Sequence, residues 1–320
     1  MIRPMIVCFS FLSCLSLAFS DAILVGRGKA IDVSLWDVLS DKIGDKVLVQ
    51  DKAEVFVVTK SEETLYFGGT MNGKGCVWEK NLKSGQVTSV FLNDSALLYA
   101  LCWLQDGTLV AAGTHPNLGG GVWRKAKGGE WGAFESVPKS TVISCLALGP
   151  GGLMFAGGVY RGKGKVWVCD QGVWTQGEYL NQAKEVNTLC VAKGIVYAGG
   201  QKENMAGGLW EFDGKAWNTG TDLKFSKAVY ASTVSKEGAV FLAGAGSEQK
   251  SVWENGEGFW NAVSLEHCLS LYAIHRDGNG NVYAAGWNDQ RTGSVWTQDA
   301  KKSWSAAASV PDCFVVRGIA

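Results

Sequence analysis

Short apolar runs alternate with glycine-rich and polar breaks along nearly the whole chain, and one such run recurs at a fixed interval. It ends in small residues and glycine: Leu65, Tyr66, Phe67, Gly68 and Gly69 in one copy, then residues 109–113, 154–158, 196–200, 240–244 and 282–286. The last glycines, Gly69, Gly113, Gly158, Gly200, Gly244 and Gly286, lie 44, 45, 42, 44 and 42 positions apart. Nine or ten residues after each comes a tryptophan preceded by Val or Leu: Trp78, Trp123, Trp167, Trp210, Trp253 and Trp296. Five of these are followed, seven or eight positions on, by Trp131, Trp174, Trp217, Trp260 and Trp304. Self-similarity at such a period marks a repeat architecture.

Each unit divides into four expected strands, lettered A to D. In the fourth unit an apolar strand A over 185–192 meets a tight turn at Lys193 and Gly194, then strand B over 195–199. A polar loop over 201–207 leads to strand C at 208–212. Asp213 and Gly214 give a hairpin turn, and strand D starts near Lys215 and carries Trp217. Four antiparallel strands in about forty residues form a propeller blade. Small residues on strand B suit sheets that converge on an axis. The tryptophans of strands C and D suit the wider gap between neighbouring sheets.

The two ends complete the pattern. Residues 23–27 resemble strand B, and Trp36 falls nine positions after Arg27, where the strand C tryptophan belongs. Residues 313–320 resemble strand A. After Gly286 there are 34 residues, which with the seven residues 21–27 make 41, close to the period. The expectation is an all-β, seven-bladed propeller of four-stranded antiparallel blades, its last blade shared by the N- and C-terminal strands. That composite blade takes 21–53 with 314–320, and six further blades fall at about 54–95, 96–140, 141–184, 185–227, 228–270 and 271–313. Closure of this kind removes an open sheet edge.

Gly199 and Gly200 with Trp210 and Trp217, and Gly157 and Gly158 with Trp167 and Trp174, resemble the kelch repeat, with Trp where that family usually carries Tyr. The resemblance covers essentially residues 21–320. It implies the galactose-oxidase type of propeller, which is a scaffold and does not specify an activity.

Composition adds three points. Glycine (42), tryptophan (14) and proline (5) fit short strands joined by turns. Thirty basic residues balance thirty acidic ones, so no basic stripe recommends nucleic acid or an anionic membrane as a partner. Ahead of the repeats, Arg3, an apolar stretch over 5–19 and the small residues Ala18 and Ser20 read as a signal peptide over 1–20. The stretch is short for a membrane span, so the expected location is secreted, extracellular or periplasmic.

Seven cysteines follow Ser20. Cys102, Cys145 and Cys190 fall on strands A among small apolar residues, where a thiol acts as a small hydrophobe. Cys268 and Cys313 hold matching positions before the strands A of adjacent blades and are the candidate disulfide pair.

Functional groups are expected in the polar, variable B–C loops, which share a face with the D-to-A links. They supply His115, Arg161, Lys163, Gln201, Glu203, Asn204, Asn288, Asp289 and Arg291. Trp287 stands out because it follows Gly286 directly, where other copies carry Thr70, Thr114, Val159, Gln201 or Ala245. Trp103 also lies outside the grid and is a candidate plug of the central channel. His115, His267 and His275 are too few for a multi-histidine metal site. No GxSxG elbow, HExxH helix or phosphate-cradling loop occurs, and neither metal nor cofactor is expected. The leading expectation is a monomeric, non-catalytic module that binds a protein or glycan through its B–C loop face. The alternatives are a carbohydrate-active hydrolase or lyase using carboxylates on that face, and a structural protein of the cell envelope.

Overall fold

A computed structural model describes residues 22–28, 32–39, 42–43, 47–256, 259–299, 302–305 and 308–320. The expected signal peptide lies outside the described residues. Among those residues the regular structure is strand, apart from one 3-10 turn at Pro150–Gly152, and no helix is long and apolar enough to cross a membrane.

The strands pair antiparallel in sets of four. Ala53–Lys60, Thr64–Met71, Lys74–Asn81 and Val87–Phe91 form one sheet in chain order. Sets of the same kind begin with strands A at Leu97–Trp103, Val142–Leu148, Ala183–Ala192, Ser226–Val234 and Cys268–Arg276. At the chain ends, Cys313–Ile319 pairs with Ala22–Gly28, which pairs in turn with Asp32–Leu39. Several strands D are shorter than the sequence suggests. Trp217 holds only an isolated bridge to Phe212, ahead of the two-residue strand Thr221–Asp222. The reason is local: the Asp213 carboxylate accepts the amides of Lys215 and Ala216, and the Asn218 side chain accepts those of Glu211 and Gly220. Side-chain bonds of this kind compete with the ladder.

One corner leads into nearly every strand A. Leu92, Leu180, Leu223, Leu265 and Val310 each accept the amide three residues on, from Ser95, Ala183, Ser226, Cys268 and Cys313, at 3.0–3.2 Å. The third residue of each turn, Asp94, Gln182, Phe225, His267 or Asp312, has positive φ, which defines a type II turn. Such a turn rotates its central peptide outward, and the freed carbonyl meets an indole. Trp123 donates to Asn93, Trp167 to Pro138, Trp210 to Asn181, Trp253 to Lys224 and Trp296 to Glu266, all at 2.7–3.0 Å. Trp36 makes the same bond to Pro311, across 275 positions of chain. These strand C tryptophans are fully buried. Each sits in a core shared by two consecutive sets, as Trp167 does with Ala100, Val110 and Ala112 of the preceding set.

The periodic glycine has a second cause. A Cβ on Gly69, Gly158, Gly200, Gly286 or Gly26 would strike the carbonyl of Glu54, Val142, Glu185, Ser270 or Val315 on the adjoining strand A. Two residues past that carbonyl, each strand A leaves its register by one unpaired residue. These bulge residues are Phe56, Tyr99, Ser144, Asn187, Tyr230, Tyr272 and Arg317.

Cys268 and Cys313 are separate buried thiols, which corrects the expected bridge. Each faces the strand C before it: the Cys268 thiol lies beside Ser251, and Cys313 packs on Gly293. The sheet carrying Cys268 therefore stands between the two sulfurs.

Candidate functional site

A β-bulge adds one residue to a strand and re-aims its side chain. All of the bulge residues named above line one common cavity of about 210 Å³, surrounded by the strands A. Three consecutive residues of each strand A line the cavity, and the bulge residue is the first of the three.

The cavity wall is divided. Phe56 and Tyr99 meet with ring centroids 5.3 Å apart, and Tyr230 stacks on Tyr272 at 5.3 Å with 24° between planes. The Arg317 guanidinium lies 4.2 Å over the Tyr272 ring, a cation–π geometry. Opposite are Ser144 and Asn187, whose amide donates to Glu185 at 3.0 Å and to the Val229 carbonyl at 3.2 Å. Among the described residues, Arg317 is the sole charged group lining this space, with the Glu185 carboxylate held behind Asn187. Burial holds the phenols of Tyr99 and Tyr230 above their ordinary range, so both stay neutral donors. It also pushes the nearby thiols of Cys102 and Cys190 up to about 11. Such thiols are poor nucleophiles at neutral pH.

Trp287 connects this ring to the B–C face. It packs edge-on against Tyr272 at 6.2 Å and against Phe314 at 5.7 Å, half-buried, with its indole nitrogen unpartnered among the described residues. Trp287 lies one residue before the end of strand B and Phe314 follows the corner at Asp312, so the pair stands behind Tyr272 on the B–C side without lining the cavity itself. Trp103 is no plug. It stands edge-on to Tyr66 at 5.4 Å, where its position at the far end of strand A places it between two sheets.

The other expected residues divide into two groups. Arg161, Lys163 and Glu203 come together along a hollow of about 570 Å³ with Tyr179 and Asn181. Most of the rest hold their own surroundings. The His115 ring nitrogen accepts the amides of Asn117 and Leu118, and the Asn288 side chain accepts those of Gln290 and Thr292. Asn204 accepts the Ala206 amide, and Gln201 donates to the Lys227 carbonyl. Asp289 bonds His267 at 2.8 Å, which raises that imidazole above its ordinary range. Arg291 is exposed on a positive-φ turn.

Sequence reasoning missed the axial ring. Its signal was the carbonyl-crossing glycine, which locates each bulge once the strand pairing is known.

No family model matches the chain, and no curated protein matches it. Solved structures do. BP39L lectin from Burkholderia pseudomallei aligns with TM-score 0.73 and 10% identity, over 91% of this chain and 96% of that one. Virginiamycin B lyase from Staphylococcus aureus aligns with TM-score 0.66 and 11% identity, over 82% and 93%. A protein of unknown function from Desulfotomaculum acetoxidans gives 0.65 and 11%, over 93% and 98%. At these identities the likeness is one of fold: many small antiparallel sheets arranged as in β-propeller proteins.

Proposed function

We propose that the chain is a secreted, non-catalytic binding module, a kelch-like, closed seven-bladed propeller that recognises a protein or glycan through its B–C loop face. The axial ring carries this reading. Aromatic faces with a few fixed polar groups are the usual composition of a ligand site. A space of about 210 Å³ is below the usual range for a whole small-molecule pocket. It suits one sugar ring or one side chain, with the remainder of the ligand lying over Trp287, Phe314 and the B–C loops. Arg317 adds a preference for a carboxylate, which a guanidinium holds through two parallel bonds. A lectin among the structural neighbours fits a binding role.

Three features support closure of the ring. Cys313–Ile319 pairs with Ala22–Gly28, Trp36 donates to Pro311, and the Val315 carbonyl crosses Gly26. Each repeats a bond or contact found inside the continuous sets.

Glycan and peptide arrays probed with residues 21–320 test the function, each hit being followed for product formation. Saturable binding without turnover is expected; sustained turnover of a hit sinks the non-catalytic reading. Deletion of 314–320 tests closure, which predicts loss of secretion or a much lower melting temperature. A truncated chain that secretes and melts like the full one contradicts it.

A further inference from the structure

Lys165 breaks the repeat in a place where charge is costly. The residue opposite the last strand B glycine is Cys76, Gly121, Gly208, Ser294 or Ser34 elsewhere, and in the third set it is a lysine. The residue as a whole is 3% exposed, with its ammonium turned to the hollow described below. The ammonium lies 4.9 Å from the Tyr179 ring centre, 5.3 Å from that of Tyr160 and 5.4 Å from that of Trp167. Gly177 closes over it, since a Cβ there would strike Trp167 and the Lys165 chain.

A buried ammonium ordinarily takes a counter-ion. Comparable cations here have one: Lys202 pairs with Asp222, Lys125 with Glu79 and Arg124 with Glu135. Among the described residues, Lys165 has no hydrogen-bond acceptor and no carboxylate. It faces instead a hollow of about 480 Å³ whose other charged members are Arg161 and Lys139. Arg161 lies 5.2 Å over Tyr160. Burial, and then the neighbouring Lys139, hold the Lys165 ammonium below the ordinary lysine range. Three cations converge on this hollow and no acidic side chain lines it, Glu203 standing with Arg161 in the adjoining one.

We propose that Lys165, Arg161 and Lys139 form a pocket for an oxyanion of the sulfate or phosphate ester class. The buried ammonium and the guanidinium hold the oxyanion, and Lys139 closes the rim. The carrier extends along the adjoining hollow, where Tyr179, 47% exposed, offers an aromatic face. This site lies on the outer strands, away from the axial ring, and stands independently of what that ring binds.

The test measures melting of the full secreted chain in sodium sulfate, sodium phosphate or sodium chloride at equal ionic strength. Calorimetric titration with a sulfated oligosaccharide and its desulfated form accompanies it. Sulfate or phosphate is expected to raise the melting temperature above chloride, and the sulfated sugar to bind at least tenfold tighter than the desulfated one if sulfate is the preferred ester. A preference for phosphate over sulfate identifies the other ester. Lys165→Met, which keeps a linear chain between the rings, is expected to abolish the anion effect while melting higher than wild type in chloride. Arg161→Gln, a surface change, should weaken anion binding about tenfold. An anion effect equal to that of chloride, or one intact in both variants, overturns the proposal.

Discussion

Trp36→Phe and Trp78→Phe delete the same atoms from matching places, yet the structure makes them unequal. The Trp36 indole donates to the Pro311 carbonyl at 3.0 Å. A phenyl ring cannot, and the abandoned carbonyl costs about 1–3 kcal/mol. The space left by the smaller ring adds about 1 kcal/mol, for a total of about 2–4 kcal/mol. Among the described residues, the Trp78 indole nitrogen is buried without a partner. Its removal relieves an unsatisfied donor and offsets the cavity, for a net cost of about 0–1 kcal/mol. The difference has a visible cause. From the positive-φ residue to the bulge there are five steps at the other corners, as from Asp94 to Tyr99 or Asp312 to Arg317, but four from Lys52 to Phe56. The short corner sets this copy apart from the others. Urea unfolding of residues 21–320, followed by circular dichroism, measures both variants, with Trp123→Phe as the internal reference. Trp36→Phe should fall with Trp123→Phe and about 2 kcal/mol below Trp78→Phe. Equal midpoint shifts for Trp36→Phe and Trp78→Phe would refute the assignment of the corner bond.

Two further outcomes follow from burial. The thiols of Cys76 and Cys268 are pushed up to about 12, so native protein should resist alkylation at pH 8, whereas denatured, unreduced protein should be alkylated at both Cys268 and Cys313. A disulfide would leave these two unmodified. Burial, with Lys60 nearby, lowers His275 to about 4 from 6.5. The unfolded chain then binds more protons between these values, so stability falls as pH drops from 6.5 to about 4, by up to about 3 kcal/mol. His275→Gln should flatten that part of a melting-versus-pH curve; an unchanged slope would assign the acid sensitivity to other groups.

The repeat was legible because packing imposes it. A buried indole at each blade interface and a glycine under each crossing carbonyl tolerate few replacements, so Trp210 and Gly200 recur in step. The axial ring was not legible, because a bulge fixes where a side chain points and leaves its identity free. Phe56, Ser144, Asn187 and Arg317 share a position and no chemistry. The loops misled for a different reason. In sequence, His115 and Asn288 look like ligand groups, but short polar side chains satisfy the amides of their own turns equally well. Lys165 was visible throughout as a lysine in a column of Gly, Ser and Cys, and only its missing counter-ion gave it meaning.

The axial ring is tested most directly by the affinity of an array-selected ligand for Tyr272→Ala and for Arg317→Met, beside a control substitution, Lys193→Ala, on the opposite face. Each variant is first shown to melt normally. Recognition through the ring predicts at least a tenfold loss for Tyr272→Ala, a matching loss for Arg317→Met when the ligand carries a carboxylate, and no loss for Lys193→Ala. Wild-type affinity in both axial variants would contradict it.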